Sequence, residues 1–111
     1  MTKVVISKDK QGNITRFTAS GHTNYGVEGE DIVCAGASSI MQTAILGILM
    51  VAETNAKYKI DAGEAYLELN LPADMTPTQR RDCNIILKTM VVGLSDLAEN
   101  YSDFVEIDGI K

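Results

Sequence analysis

Five short segments of the chain are typical of β-strands, and in three of them, residues 14–19, 56–61 and 65–71, apolar and polar residues alternate as in half-buried strands. The first two segments, residues 3–7 and 14–19, flank the turn sequence DKQGN and predict a β-hairpin. A second hairpin is predicted at residues 56–61 and 65–71, around the turn sequence DAGE, with an apolar face on one side only. Residues 103–108 predict a last strand.

Two longer segments have helical character. An uncharged, mostly apolar run predicts a helix over about 31–54. The second helix is predicted to begin at TPTQ, with Thr76 as N-cap, Pro77 as first helical residue and Gln79 completing a capping box. Apolar or weakly polar residues then recur at intervals of three and four, which predicts one buried face. They are Cys83, Leu87, Met90, Leu94, Leu97 and Tyr101.

The predicted order of elements is β-β-α-β-β-α-β. Hairpins dominate this order, so we expect an α+β fold with a mostly antiparallel or mixed five-stranded sheet. Both helices are expected to cover the apolar face of the sheet, as a two-layer sandwich. The sequence does not indicate which strand pairs with the last one. The length, 111 residues, is that of one domain (1–111) with a core of its own.

Composition narrows the possible functions. The net charge of −5 argues against direct contact with nucleic acid, because such a protein needs a basic face. The start, MTKVVISKDK, has no apolar signal segment, so we expect a reducing, cytoplasmic location and two free thiols. One histidine and two cysteines cannot supply a closed zinc site of nitrogen and sulfur ligands, so no metal is expected.

The uncharged run from Ile32 to Ala52 is about as long as a membrane span. However, it contains several polar residues, and its flanks are acidic, with no Lys or Arg to anchor a span. The rest of the chain would also lack a central helix without it. We therefore interpret the run as a core helix and expect no membrane partner.

The candidate chemistry lies at the start of this helix. The only histidine, His22, precedes Cys34 by twelve residues. If Asp31 is the N-cap, Cys34 is the third helical residue, where free N–H groups favour a thiolate and can bind an oxyanion. A nearby imidazole would accept the thiol proton and then protonate a leaving amine. The chemistry of a cysteine protease can therefore be assembled here, provided that the loop at 21–30 brings His22 to the helix start.

A purely structural interpretation stays open. Free cysteine is often buried, so Cys34 would then belong to the core and His22 to a solvated loop. Cys83 lies on the predicted buried face and is expected to be structural. Asp31 either caps the helix or orients and charges His22. Ser38, one turn after Cys34, either donates a hydrogen bond near the sulfur or bonds a carbonyl of its own helix.

The loop between the histidine and the helix is rich in glycine and acid. Gly21, Gly26 and Gly29 predict either ordinary turns or a mobile flap that closes on an extended peptide. Glu28 and Glu30 are either solvated or contact a basic segment of a substrate.

The sequence GH, followed about a dozen residues later by DIVCA and a serine, resembles the bacterial ribosomal-processing cysteine protease family Prp. The resemblance covers essentially the whole chain. It implies that His22 is the general base, that Cys34 is the nucleophile and that Asp31 and Ser38 support the site. It also implies a homodimeric enzyme without a cofactor. Such an enzyme removes the N-terminal extension of the twenty-seventh large-subunit ribosomal protein (L series), after a pair of phenylalanines, during ribosome assembly.

The chain departs from this family in places. Thr23 stands where the family usually has alanine, and Gly36 and Ala37 replace the more common Ala-Val after the motif cysteine. These changes affect the expected cleavage sequence more than the expected reaction type. The alternative function is a non-catalytic ribosome-assembly or peptide-binding module with Cys34 buried. A second alternative is a thiol hydrolase or redox enzyme that acts on a small molecule. Redox cycling is disfavoured because no resolving cysteine lies beside Cys34 in the sequence.

Overall fold

The computed structural model describes residues 1–21 and 29–109, which contain the predicted elements in the predicted order. The first helix continues directly into a π-helical turn, Gly47–Val51. The bounds of the strands and helices are β1 Thr2–Lys8, β2 Ile14–Ser20, α1 Glu30–Leu46, β3 Lys57–Asp61, β4 Tyr66–Asn70, α2 Pro77–Asn100 and β5 Val105–Asp108.

The strands form one five-stranded sheet in the order β3-β4-β2-β1-β5. All neighbours are antiparallel except β1 and β5, which are parallel, so the predicted mixed sheet is confirmed. The last strand thus pairs with the first, with Val4 opposite Ile107. An ion pair between Lys3 and Asp108 (3.5 Å) joins the same two strands on the exposed face.

Both helices pack on one face of this sheet, as the alternating strands predict. The sheet contributes Val4, Ile6, Phe17, Leu67 and Leu69, and the helical segments contribute Met41, Ile45, Ile48, Leu87 and Leu94. Each of these side chains is less than 7 % exposed. Burying one large apolar side chain contributes about 1.5–3 kcal/mol, so this interlayer core is the main source of stability.

The first helix begins earlier than the sequence predicted. Asp31 is not its N-cap. The N-cap is Gly29, with φ 87° and no side-chain capping bond, and Glu30 is the first helical residue. Glycine takes this left-handed conformation without steric cost, so the chain can enter the helix two residues before the expected cap. The helical segment also ends earlier than residue 54, with Ala52 as the C-cap of the π-helical turn.

The start of α2 is as predicted. The Thr76 hydroxyl accepts from the Gln79 N–H (3.1 Å), and the Gln79 side chain accepts from the Thr76 N–H (3.0 Å). Of the predicted buried face, Leu97 is partly buried, but Tyr101 is 46 % exposed because it follows the helix end. The residues of this face that are fully buried are Cys83, Leu87, Met90 and Leu94.

The described residues contain one helical segment, Asp31–Val51, that is long and apolar enough to cross a membrane by length and composition. A third of its most apolar window is buried inside the fold, and the core helix of a globular protein meets the same criteria. Its buried side chains face the sheet and α2. This packing is the one expected of a core helix.

The other face of the sheet carries a polar network around Glu68. The Tyr66 hydroxyl donates to Glu68 (2.7 Å), and the Asn70 amide donates to its second oxygen (2.9 Å). The Arg16 guanidinium pairs with the same carboxylate (2.8 Å). These donors, the Tyr66 hydroxyl foremost, hold the pKa of Glu68 below its ordinary value.

Candidate active site

A pocket of about 270 Å³ lies between the N-terminal half of α1 and one end of the sheet. Cys34 and Ser38 line it from α1, and Gly21 lines it from the end of β2. Ile60 contributes from β3, next to the turn that leads into β4. The volume is near the lower end of the range for ligand pockets. The pocket therefore brings the predicted nucleophile together with two of the other predicted site residues.

Cys34 lies at the margin of the buried stripe of α1. Its neighbour Val33 is 7 % exposed, and Ala37 is fully buried, whereas Cys34 itself is a half-buried free cysteine. Met41, two turns further along the helix and 1 % exposed, lines the same pocket. A partly apolar wall beside a reachable sulfur suits a thiol that must meet a peptide carbonyl.

The earlier helix start changes the electrostatic argument. Counting from Glu30, Cys34 is the fifth helical residue and not the third. The first intrahelical bond runs from the Val33 N–H to the Gly29 carbonyl (3.2 Å). The N–H groups without a partner inside the helix are therefore those of Gly29 and the first three helical residues, one turn before the sulfur. Asp31 is exposed and lies three residues before Cys34, on the adjoining part of the helix surface.

Ser38 has a hydrogen-bond partner that the sequence did not predict. The Gln42 side-chain amide donates to the Ser38 hydroxyl (2.8 Å), and both residues line the pocket. This bond uses a lone pair of the hydroxyl oxygen, so the hydroxyl can still donate its own proton to another acceptor. The spacing of four residues on one helix was the available signal.

The backbone at residue 21, directly before the histidine, has no room for a side chain. Its φ is 152°, and its N–H donates to the Ala65 carbonyl (3.3 Å). A Cβ at this position would collide with the Met1 carbonyl and lie 2.9 Å from the Thr2 Cα. The absence of a side chain lets the end of β2 pass close to the start of β1.

Cys83 has the environment of a structural cysteine. It is 1 % exposed, and its sulfur lies 3.7 Å from the Met75 sulfur. Burial, together with the negative charge of Asp82, raises the pKa of the Cys83 thiol. The two cysteines therefore differ in access to solvent, as the sequence predicted.

Several predicted site residues lie outside the described part of the chain. They are His22, Gly26 and Glu28. Gly29 caps α1, and Glu30 begins it. The pairing of His22 with Cys34 therefore stays a prediction.

Comparison with known proteins identifies relatives of the whole chain. The family model for the cysteine protease Prp matches residues 1–106. The ribosomal processing cysteine protease Prp of Mycoplasma pneumoniae is 33% identical over 109 residues, which span 97% of this chain and 94% of that protein.

Solved structures give the same result. The S. aureus ribosomal processing protease Prp in complex with a substrate peptide is 25% identical and superposes with a TM-score of 0.84. The match covers 97% of this chain and 98% of that chain. The same S. aureus protein with a covalently linked product peptide is 26% identical, with a TM-score of 0.80 over 96% and 97% of the two chains. The chain thus belongs to the cysteine protease Prp family.

Proposed function

We propose that this chain is a cysteine endopeptidase, with residues 1–111 acting as one protease domain and Cys34 as the nucleophile. The main support is the half-buried Cys34 on the wall of a pocket, in a chain that matches a protease family over nearly its whole length. The S. aureus relative with a covalently linked product peptide supports a covalent intermediate.

In the proposed mechanism, His22 removes the proton from the Cys34 thiol, and the thiolate attacks the carbonyl carbon of the scissile bond. The tetrahedral intermediate collapses with loss of the amine, to which His22 returns the proton. The acyl fragment stays on sulfur as a thioester. Water, deprotonated by His22, then attacks the thioester, which releases the carboxylic acid and restores the thiol.

Covalent geometry supports the role of His22. Gly21 lines the pocket that contains Cys34, and consecutive Cα atoms are at most about 3.8 Å apart. The only histidine of the chain thus directly follows a residue of the pocket wall in the sequence. Replacing His22 by alanine should lower the rate of cleavage at least about a hundredfold.

The supporting residues have separate proposed roles. Asp31, exposed near Cys34 and no longer needed as a cap, orients His22 and stabilises its charged form. Ser38 donates its proton to the sulfur or to the developing oxyanion, with Gln42 holding the hydroxyl in place. Gly26 and Gly29 allow the loop to close on substrate, and Glu28 and Glu30 contact basic residues of the extended peptide.

The proposed substrate is the N-terminal extension of the twenty-seventh large-subunit ribosomal protein, cleaved in the cytoplasm during ribosome assembly. The relatives support this substrate, because they are ribosomal processing proteases and one of them holds a substrate peptide. The proposed enzyme needs no cofactor and contacts neither nucleic acid nor membrane.

The test is to incubate the protein with the unprocessed ribosomal protein from the same bacterium and to weigh the products. We expect the mature protein and the released extension. The Cys34→Ser variant should give neither, whereas Cys83→Ser is the matched control and should cleave normally. Equal cleavage by Cys34→Ser, or no cleavage by the wild type, would exclude the proposal.

We also propose a homodimer, as the family resemblance implies. An apolar groove of about 570 Å³ between α1 and α2 has Val51 (73 % exposed) and Ile85 (59 % exposed) in its lining. Exposed apolar surface of this kind is typical of interaction sites, and a second copy would remove it from water. Sedimentation should give a dimer for the wild type and a monomer for Ile85→Glu. An unchanged dimer would exclude this surface.

A further inference from the structure

The edge strand β3 is exposed along its length and ends at the pocket that contains Cys34. It is the terminal strand of the sheet, and four of its five residues are exposed, with the fifth half-buried. Ile60 and Asp61 line the pocket. Of the two edge strands, only β3 contributes residues to this pocket within the described part of the chain.

The hydrogen bonds at the two ends of the β2–β4 ladder show which residues of β4 bond to β2 and which bond to β3. The Gly21 N–H donates to the Ala65 carbonyl (3.3 Å) at one end. At the other end, the Leu71 N–H donates to the Thr15 carbonyl (3.0 Å). Bonded residues alternate along an antiparallel strand, so the odd-numbered residues of β4 bond to β2. The even-numbered residues of β4 therefore bond to β3.

The register then separates the residues of β3 into two sets. Lys57, Lys59 and Asp61 are opposite even-numbered residues of β4, so their N–H and C=O groups are used inside the sheet. Tyr58 and Ile60 are opposite odd-numbered residues, so their N–H and C=O groups point to the outer edge. Among the described residues, none bonds to these outward groups.

The side chains of the same two residues lie on the helix-covered face of the sheet. Tyr58 is paired with the buried Leu69, and Ile60 is paired with the buried Leu67. Nevertheless, Tyr58 is 53 % exposed and Ile60 is 45 % exposed, because the helices do not extend over β3. The outer edge of β3 thus offers free backbone groups beside an uncovered apolar strip that leads into the pocket.

We propose that the substrate peptide binds as an added strand along the outer edge of β3, through the N–H and C=O groups of Tyr58 and Ile60. This inference rests on the proposed protease function. Strand addition fixes an extended peptide by its backbone, and every second side chain then faces the side of Ile60 and the pocket. The ligand class is an extended peptide without proline in this segment and with apolar residues at alternate positions, its scissile bond held at Cys34.

Amide hydrogen exchange of the inactive Cys34→Ala variant tests the inference. The probe is a synthetic peptide that spans the N-terminal extension and the first residues of the mature ribosomal protein. At saturating peptide, the amides of Tyr58 and Ile60 should exchange at least about tenfold more slowly. The amide of Lys59, already bonded inside the sheet, is the matched control and should change little.

A second measurement uses peptides that are N-methylated at one backbone position each. Strand addition predicts that affinity falls about fivefold at alternate positions, because each lost backbone bond has a modest effect. If the wild type cleaves the peptide but Tyr58 and Ile60 stay unprotected, strand addition is wrong and the protease function stands. If they are already protected without peptide, in a concentration-dependent way, the edge pairs with a second copy and the inference is overturned. If the peptide neither binds nor is cleaved, both proposals fail.

Discussion

Replacing Gly21 by alanine tests the close approach of β2 to β1 at the residue that precedes His22. The added Cβ would collide with the Met1 carbonyl and lie 2.9 Å from the Thr2 Cα. Thr2 cannot move freely, because its N–H donates to the Phe104 carbonyl (2.7 Å). The strained conformation costs about 1–2 kcal/mol and the overlap about 1–3 kcal/mol, so we expect a loss of about 2–5 kcal/mol.

Urea unfolding followed by circular dichroism measures this loss. With a slope of about 2 kcal/mol per molar urea, the midpoint should fall by about 1–2.5 M. Gly36→Ala is the matched control, because among the described residues no heavy atom outside its own helix lies within 4 Å of the added Cβ. That variant should gain about 0.5–1 kcal/mol from helix propensity. A Gly21→Ala midpoint equal to that of the wild type would refute the close-approach argument.

Three further variants or labels test separate parts of the account. Thr76→Ala should lose about 1 kcal/mol of unfolding free energy with its capping bond, whereas Thr78→Ala, an exposed position in the first turn, should lose almost none. Because the pKa of folded Glu68 is lowered, its carboxylate stabilises the fold above the ordinary pKa of 4.5, and this contribution disappears as pH falls through the lowered value. The urea midpoint of Glu68→Gln should therefore lie further below the wild type at pH 7 than at pH 3, and a constant difference would contradict the network. Iodoacetamide near neutral pH should modify Cys34 before Cys83, while equal, slow labelling would favour a binding module with a buried thiol.

Local signals made most of the fold predictable. Alternation of side chains and the turn sequences gave both hairpins, and Thr76 with Gln79 gave the start of α2. The partner of β5 was not predictable, because its pairing with β1 joins opposite ends of the chain and no turn sequence connects them. The burial of Tyr101 was predicted from its helical spacing to the other apolar residues of α2. However, Tyr101 lies past the end of the helix, where this spacing no longer implies burial.

The site was only partly predictable from the sequence. The sequence pattern led to Asp31 as the N-cap because aspartate is among the preferred N-cap residues, but Gly29, in a left-handed conformation, takes this position. Cys34 is therefore the fifth helical residue, two positions further into the helix than predicted. The bond from Gln42 to Ser38 depends on rotamers that spacing alone does not determine.

The most direct test of the central claim is the mass of the enzyme during a single turnover. Excess wild-type protein is mixed with the unprocessed ribosomal protein, quenched in acid within the first turnover and examined by intact and peptide mass spectrometry. The account predicts a transient increase equal to the mass of the released extension minus one water, located on the peptide that contains Cys34. An adduct on another residue, or cleavage at the wild-type rate by Cys34→Ala, would contradict it.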